Sequence, residues 1–316
     1  MLKRREPKIL LLLFLWLIGL EKCIAQDASG RPNDTVRLKN YAVSKYSAND
    51  GLPSNATTCA LTDRNGFLWI GTENGLCRFD GYTFKTFVNI PGDSTSLTNN
   101  YINTITLDNK GRIWVGTLDG LNLLDPVTEK FRQFSHADHK PGSLSNNKVW
   151  SLLADREDEI WIGTDDGFDR YIEQKGGFEI FQPNASNPHS IKGKSVNSII
   201  EDRQGNLWLG NWSTGLNLFN RKSRSFTNFP QVRLPNQRNP NDVWTLCWDT
   251  DQNIWVGTYW NGLFKFNTTT HTYTAYPCPD KENRSVFRII NLDNKFIMAL
   301  RLMVFRSWRS TLSVPP

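Results

Sequence analysis

DRNGFLWIGT (63–72), DNKGRIWVGT (108–117), DREDEIWIGT (155–164), DRQGNLWLGN (202–211) and DTDQNIWVGT (249–258) are five copies of one motif in a single chain. Their tryptophans, Trp69, Trp114, Trp161, Trp208 and Trp255, are spaced 45, 47, 47 and 47 residues apart, the length of one propeller blade. Upstream of each copy an apolar run ends at Asp, as in NTITLD, SLLAD and NSIIED, and reads as a short buried strand. That Asp (Asp63, Asp108, Asp155, Asp202, Asp249) opens a turn, where its carboxylate can accept backbone N–H groups that a tight reversal leaves unpaired. The Trp-containing segment is a second strand, with the Trp filling the wedge between adjacent sheets. The following Gly (Gly71, Gly116, Gly163, Gly210, Gly257) lets a neighbouring strand come close. A further Gly (Gly75, Gly120, Gly167, Gly215, Gly262) turns the chain into a third strand. The pairs Phe84/Phe87, Phe131/Phe134, Phe178/Phe181, Phe226/Phe229 and Tyr273/Tyr276 close a fourth.

The expected fold is therefore all-β: a β-propeller of four-stranded antiparallel blades, with five complete repeats, an incomplete sixth and an orphan closing strand. Blades are expected at about 57–88, 102–134, 148–181, 196–229 and 242–276, with a partial one at 285–295. Residues Tyr41–Tyr46 read as an outermost strand waiting for inner strands from the end of the chain. The sixth repeat starts at Ser285 and reaches Asp293, after which the pattern stops. Residues 296–316 carry three Arg, no acid and no turn signal, and read as an aberrant tail from a frameshift or truncated gene. Aromatic residues at 12%, 22 Gly and only 3 Met suit many short strands better than a helical bundle.

The N-terminus has a basic start (Lys3, Arg4, Arg5, Lys8), an apolar run from Ile9 to Leu20 and small residues near Ala25. It reads as a signal peptide over 1–26 followed by a linker over 27–40. The apolar run is short of the ~20 residues a spanning helix needs, and Lys22 sits where a lipid-modified Cys23 would want a small residue. No membrane span is expected in the mature chain, which is expected to be periplasmic or secreted. The net charge of +6 divides into +3 on residues 1–26 and +3 on residues 296–316, leaving 29 basic and 29 acidic residues between them. A neutral body gives no electrostatic footprint for nucleic acid, so none is expected as a partner. Cys59, Cys77, Cys247 and Cys278 lack the C-x-x-C spacing of a metal or redox site. Cys59 and Cys247 read as small buried fillers, and no disulfide pairing follows.

The pattern D-x-x-G-x-[IL]-W-[IVL]-G-T-x-x-G-L-x-x-[FL]-[DN], and the opening YSANDGLPSNATTCALTDRNGFLWIGTENGLCRFDGYTFKTF, resemble the two-component regulator propeller repeat over residues 41 to 295. The resemblance implies the periplasmic sensor region of a hybrid sensor histidine kinase that responds to carbohydrate. It also implies a homodimer, and further domains beyond the blades. None of His136, His139, His189 and His271 lies in a phosphoacceptor context and no Gly-rich ATP-binding segment occurs, so kinase activity is not expected in this chain. No cofactor is expected. His136 and His139 lack companions at ligand spacing, so no metal is expected either.

Ligand-binding candidates come from the loops that share one face of such a propeller. Gly210-Asn-Trp212-Ser-Thr-Gly215 and Gly257-Thr-Tyr259-Trp260-Asn-Gly262 are each one residue longer than the matching turns of the first three blades, and both carry aromatics. Trp150 and Trp244 each precede their repeat's core Trp by 11 residues, near the start of an inner strand. Trp212, Tyr259, Trp260, Trp150 and Trp244 should therefore converge on one end. There, flat rings could meet the C–H faces of an oligosaccharide while Asn and Asp bond its hydroxyls. For Trp150 and Trp244, packing of the central channel is the alternative. The five repeat tryptophans and five repeat aspartates are structural, because they recur in every blade. Two other classes stand beside the carbohydrate sensor: a propeller lyase resembling the streptogramin-inactivating family, and a secreted scaffold that binds protein through a blade face. The lyase would need an acid–base group in the channel mouth, and no His falls within an expected inner strand.

Overall fold

Each repeat folds locally, because two to five turn residues separate apolar runs short enough to be single strands. The computed structural model describes residues 46–231, 241–249, 251–276, 285–292 and 295–300, together with 25–26 and 44. Blade one comprises Thr57–Thr62, Leu68–Thr72, Gly75–Phe79 and Phe84–Phe87. Blade two comprises Ile102–Leu107, Ile113–Thr117, Gly120–Asp125 and Lys130–Phe134. Val149–Ala154, Ile160–Thr164, Phe168–Ile172 and Gly177–Phe181 make blade three. Val196–Glu201, Leu207–Asn211, Gly215–Asn220 and Ser225–Phe229 make blade four. Val243–Trp248, Ile254–Thr258, Leu263–Asn267 and Thr272–Tyr276 make blade five. In each sheet the strands pair antiparallel in sequence order, and the first strands of successive blades lie side by side around an axis. This is the propeller that the repeat requires.

The repeat Asp carries more than its turn. Asp63 Oδ1 accepts the backbone N–H groups of Asn65 and Phe67 at 2.9 and 3.0 Å, and Oδ2 accepts the indole N–H of Trp69 at 2.8 Å. Asp108 and Asp155 hold Trp114 and Trp161 in the same way, at 3.1 and 2.6 Å. In blades four and five the second oxygen instead accepts an Asn amide, Asn206 to Asp202 at 3.2 Å and Asn253 to Asp249 at 3.1 Å. The repeat tryptophans are almost wholly buried. Each of three meets an aromatic of the next blade: Trp114 with Tyr171 at 4.8 Å, Trp161 with Phe219 at 5.6 Å, and Trp208 with Phe266 at 5.5 Å.

The Gly after each Trp sets the spacing between blades. A Cβ on Gly116 would lie 2.5 Å from Val149 Cγ1, and one on Gly163 would lie 2.3 Å from the Val196 carbonyl oxygen. Gly71, Gly210 and Gly257 face Ile102, Val243 and Val286 in the same manner. From blade two to the sixth sheet, the first residue of each inner strand thus nests on the bare backbone of the blade before it.

A sixth sheet follows. Val286–Leu292 pairs antiparallel with Lys295–Leu300, which pairs in turn with Ala25–Gln26. Part of the stretch read as an aberrant tail is therefore a strand, since Phe296 and Ile297 favour extended pairing without the Trp-Gly motif. In this sheet Arg288 pairs with Ala299 where other blades place a small residue opposite Gly. Its guanidinium donates instead to the Thr58 carbonyl of blade one at 3.1 Å, bringing the two ends of the ring together. Of the expected closing strand Tyr41–Tyr46, Ser44 and Tyr46 are described and neither is in a strand. The Tyr46 ring packs on Phe79 and Phe84 at 4.9 and 5.4 Å, which buries apolar area without needing a strand partner. The signal-peptide stretch apart from Ala25–Gln26, the linker 27–40, Cys23, Cys278, Asp293 and residues 301–316 lie outside the described residues.

Candidate functional site: an aromatic rim at one end of the propeller

The inner strands begin with a shared irregularity. Their pairing shifts register at Val149/Ser151 and Val243/Thr245, and at the matching place in every other blade. One residue per blade, Thr58, Asn103, Trp150, Asn197, Trp244 or Phe287, is thereby left out of the ladder and freed for another use. Asn103 and Asn197 donate their side-chain amides to the Val149 and Val243 carbonyls of the following blade, both at 2.8 Å. Large rings occupy the site in blades three and five and in the sixth sheet.

A second set of positions joins them. The first residue after each second strand is Glu73, Leu118, Asp165, Trp212 or Tyr259. Its backbone N–H always donates to the residue before the inner strand, at 3.1, 3.3, 3.0, 3.1 and 2.9 Å respectively. A constant backbone anchor therefore carries a variable side chain, the arrangement by which a rigid scaffold diversifies a binding face. The repeat's capping bond also survives the longer turn of blade five: Thr258 Oγ1 donates to Gly262 O at 2.9 Å, as Thr72 does to Gly75. In blade four the added residue is absorbed by Ser213, whose φ is 69°.

All five sequence-derived candidates come together. Ring centroids of Trp150 and Trp244 lie 6.0 Å apart, Trp244 and Trp212 6.2 Å, and Trp212 and Tyr259 5.2 Å. Tyr259 meets Trp260 at 4.6 Å and Trp244 at 5.7 Å. Trp150 and Trp244 belong to blades three and five, so their contact passes over blade four and its bulge residue Asn197. Every ring in the group is half-buried, with one part packed and one part facing water.

Phe287 completes the cluster, 5.3 Å from Trp244 and 5.7 Å from Tyr259. Sequence reasoning passed over it, although Val286-Phe287 aligns with Val149-Trp150 and Val243-Trp244 in the repeat. Two acids steady the rim, also unforeseen. Asp165 accepts the Trp150 indole N–H at 3.1 Å and lies 3.6 Å from Lys148 Nζ. Asp242, buried beneath the blade-four turn, accepts the Ser213 backbone N–H at 3.1 Å and its hydroxyl at 3.3 Å. Burial pushes the Asp242 carboxyl up, and the Ser213 bonds partly oppose the shift.

His271 packs on Phe229 and Phe266 in the outer part of blades four and five, away from the rim residues. His136 sits in the connector between blades two and three. Among the described residues no three His, Cys, Asp or Glu side chains are grouped to hold a metal ion, and no helix is long and apolar enough to cross a membrane.

The two component regulator propeller model matches residues 51–74, 96–119, 143–166, 190–213 and 237–260, each match including the first two strands of a blade and the start of its rim turn. The chain is built of two component regulator propeller repeats. The extracellular domain of a hybrid two component system from B. thetaiotaomicron is similar in structure, with a TM-score of 0.69 and 29% identity, covering 82% of this chain and 34% of that one. Histidine kinase P4 of Formosa agariphila is 41% identical over 59 residues, 19% of this chain and 4% of the kinase. The chain thus spans about a third of the structural relative and a small fraction of the kinase. A virginiamycin B lyase from Staphylococcus aureus shares the fold alone, with a TM-score of 0.58 at 15% identity over 82% of both chains. As a two component regulator propeller, the chain is like the extracellular domains of hybrid two component sensors.

Proposed function

We propose that this propeller is the ligand-sensing part of a two component sensor, exposed outside the cytoplasm, and that its aromatic rim binds a carbohydrate. The observation that carries the reading is the confinement of six touching rings to positions the repeat leaves free to vary. The wedge tryptophans and the paired fourth-strand aromatics recur in every blade, whereas these rings occur only in blades three to five and the sixth sheet. Half-buried indoles and phenols offer flat apolar platforms to the C–H faces of a sugar, and Asp165, Asn103 and Asn197 lie in the same ring of positions to meet hydroxyl groups.

The test is calorimetric titration of the full chain with a panel of neutral and acidic oligosaccharides. Trp212→Ala and Trp260→Ala should each weaken binding at least tenfold, about 1.4 kcal/mol, without lowering Tm. Oligosaccharide binding that both variants leave unchanged would sink the rim as the site. If no member of the panel binds, the carbohydrate reading fails and the scaffold reading gains. Export is checked separately by sequencing the N-terminus of the mature protein, which should begin near Gln26.

A further inference from the structure

Blade two carries an open recess that shares none of the rings of the aromatic rim. Its volume is about 380 Å³, within the range of roughly 300–1000 Å³ usual for small-molecule sites. The lining comes from three places. Asn89, Ile90, Asp93 and Ser94 belong to the connector that enters the blade, Asp119 follows the rim position Leu118, and Gln133 and Ser135 lie where the chain leaves the fourth strand.

The repeat shows why the recess is open here. Asp119, Asp166 and Thr214 each precede the Gly that turns into a third strand, and Ser135, Gln182 and Pro230 each follow the last aromatic of a fourth. In blade three, Gln182 Nε2 donates to the Asp166 carbonyl oxygen at 2.8 Å, and Lys194 Nζ lies 2.8 Å from Asp166 Oδ1. In blade four, Thr214 Oγ1 donates to the Lys192 carbonyl of the incoming connector at 2.9 Å, and Asn228 Nδ2 donates to Thr214 O at 2.9 Å. Side chains therefore bridge the equivalent place in both blades. Blade two has only a serine at 135, and the Asp119 carboxylate is held from one side, by Asn147 Nδ2 at 2.9 Å on Oδ1.

The walls are fixed by their own hydrogen bonds. Asn89 Nδ2 donates to Leu97 O at 2.6 Å, Ser96 Oγ to Asp93 O at 2.9 Å, and Gln133 Nε2 to Ser96 O at 2.9 Å. Asp93 Oδ1 accepts the backbone N–H and the hydroxyl of Thr95 at 2.8 and 2.7 Å. Oδ2 of Asp93, Oδ2 of Asp119 and Oε1 of Gln133 remain as acceptors. The Ser94 and Ser135 hydroxyls, both on exposed residues, make no hydrogen bond among the described residues. Ile90, 52% exposed, adds an apolar surface. No Lys, Arg or His is among the described residues that line the recess.

We propose that this recess is a second ligand site, separate from the aromatic rim, for an uncharged polyhydroxylated molecule of monosaccharide size. A sugar hydroxyl both donates and accepts, so it can serve the carboxylate and amide oxygens and take the serine protons in turn, while Ile90 meets a C–H face. An anionic ligand would set its charge against Asp93 and Asp119 with no cation in the lining. An ammonium group only donates, and accepts a proton from neither serine.

The test is amide-resolved NMR of the isotope-labelled full chain, titrated with glucose, galactose and mannose, and with glucuronate and glucosamine as charged counterparts. At least one neutral sugar should shift the Ser94, Asp119 and Ser135 amides, with the low-millimolar Kd expected of so small a ligand. Glucuronate should bind about tenfold more weakly, and glucosamine no more tightly than the neutral sugar. Ser135→Gln, which installs the blade-three residue at an exposed position, should abolish these shifts and leave Tm unchanged. Asp119→Ala removes an acceptor without filling the space and should weaken binding roughly fivefold. Trp212→Ala should leave the shifts intact. Shifts that Trp212→Ala removes and Ser135→Gln spares would assign the sugar to the rim and overturn the second site. Amides at Ser94, Asp119 and Ser135 that no neutral sugar moves, or that respond to glucuronate or glucosamine alone, would overturn it as well, and either result leaves the oligosaccharide titration of the rim to stand or fall by itself.

Discussion

At the scale of single residues, the repeat Asp shows how one side chain can do the same work with two different partners. In blade one Asp63 Oδ2 faces the Trp69 indole, which can only donate. In blade four Asp202 Oδ2 faces the Asn206 amide, which can rotate to present either donor or acceptor. Asp63→Asn therefore sets an amide N–H against an indole N–H and should cost about 1–3 kcal/mol. Asp202→Asn, with Asn206 flipped, should cost less than about 1 kcal/mol. Urea denaturation of the two variants separates these values, and equal costs would refute the partner argument. The repeated Asp and Trp were plain in the sequence as turn and wedge residues, but their hydrogen bond was not. It depends on a χ-angle choice that the tight turn imposes and that the letters alone do not encode.

Among elements, the residue across from each repeat Trp alternates between blades. Trp69, Trp161 and Trp255 pair with Arg78, Arg170 and Lys265, whereas Trp114 and Trp208 pair with Leu123 and Leu218. The cations lie 5.7, 5.8 and 5.5 Å from the indole rings, within the range of a cation–π contact. Their other partners differ. Lys265 pairs at 2.6 Å with Asp249, whose side chain is 3% exposed, while Arg78 reaches the outlying Glu129 at 3.1 Å. Burial alone would raise the Asp249 carboxyl, but Lys265 and Asn253 more than reverse it and hold it below its usual range. Lys265→Leu, which installs the residue of the even blades, leaves that carboxylate uncompensated and should cost about 2–3 kcal/mol. Arg78→Leu should cost under about 1 kcal/mol. Chemical denaturation midpoints compare the two directly, and a ranking in the opposite order would show that the ring contact rather than the buried acid decides. Four strands per repeat could be read from periods and turn residues. The bulge that releases Trp150, Trp244 and Phe287 could not, because it arises from pairing between strands and leaves no mark on hydrophobic alternation.

Over the whole molecule, stability resides in the joints between blades, since a lone four-stranded sheet has two faces to bury. Gly163 is the least forgiving joint, because an added Cβ would meet the Val196 carbonyl oxygen at 2.3 Å and the Ser151 hydroxyl at 2.2 Å. At Gly116 the obstacles are side-chain methyls of Val149 and Thr104, at 2.5 and 2.8 Å, which can rotate away. Gly163→Ala should lose about 3 kcal/mol and Gly116→Ala about 1–2 kcal/mol. Circular dichroism and tryptophan fluorescence should report the same midpoint for each, and separated midpoints would show that the blades unfold independently. The sequence by itself determined the blade period, the turn aspartates, the wedge tryptophans and the spacing glycines, because each is repeated wherever the same local geometry recurs. Only the tertiary structure decided that Trp150 and Trp244 meet across blade four and that Phe287 joins them. These contacts depend on how the blades are arranged around the axis, which brings together residues of different repeats that no local pattern relates.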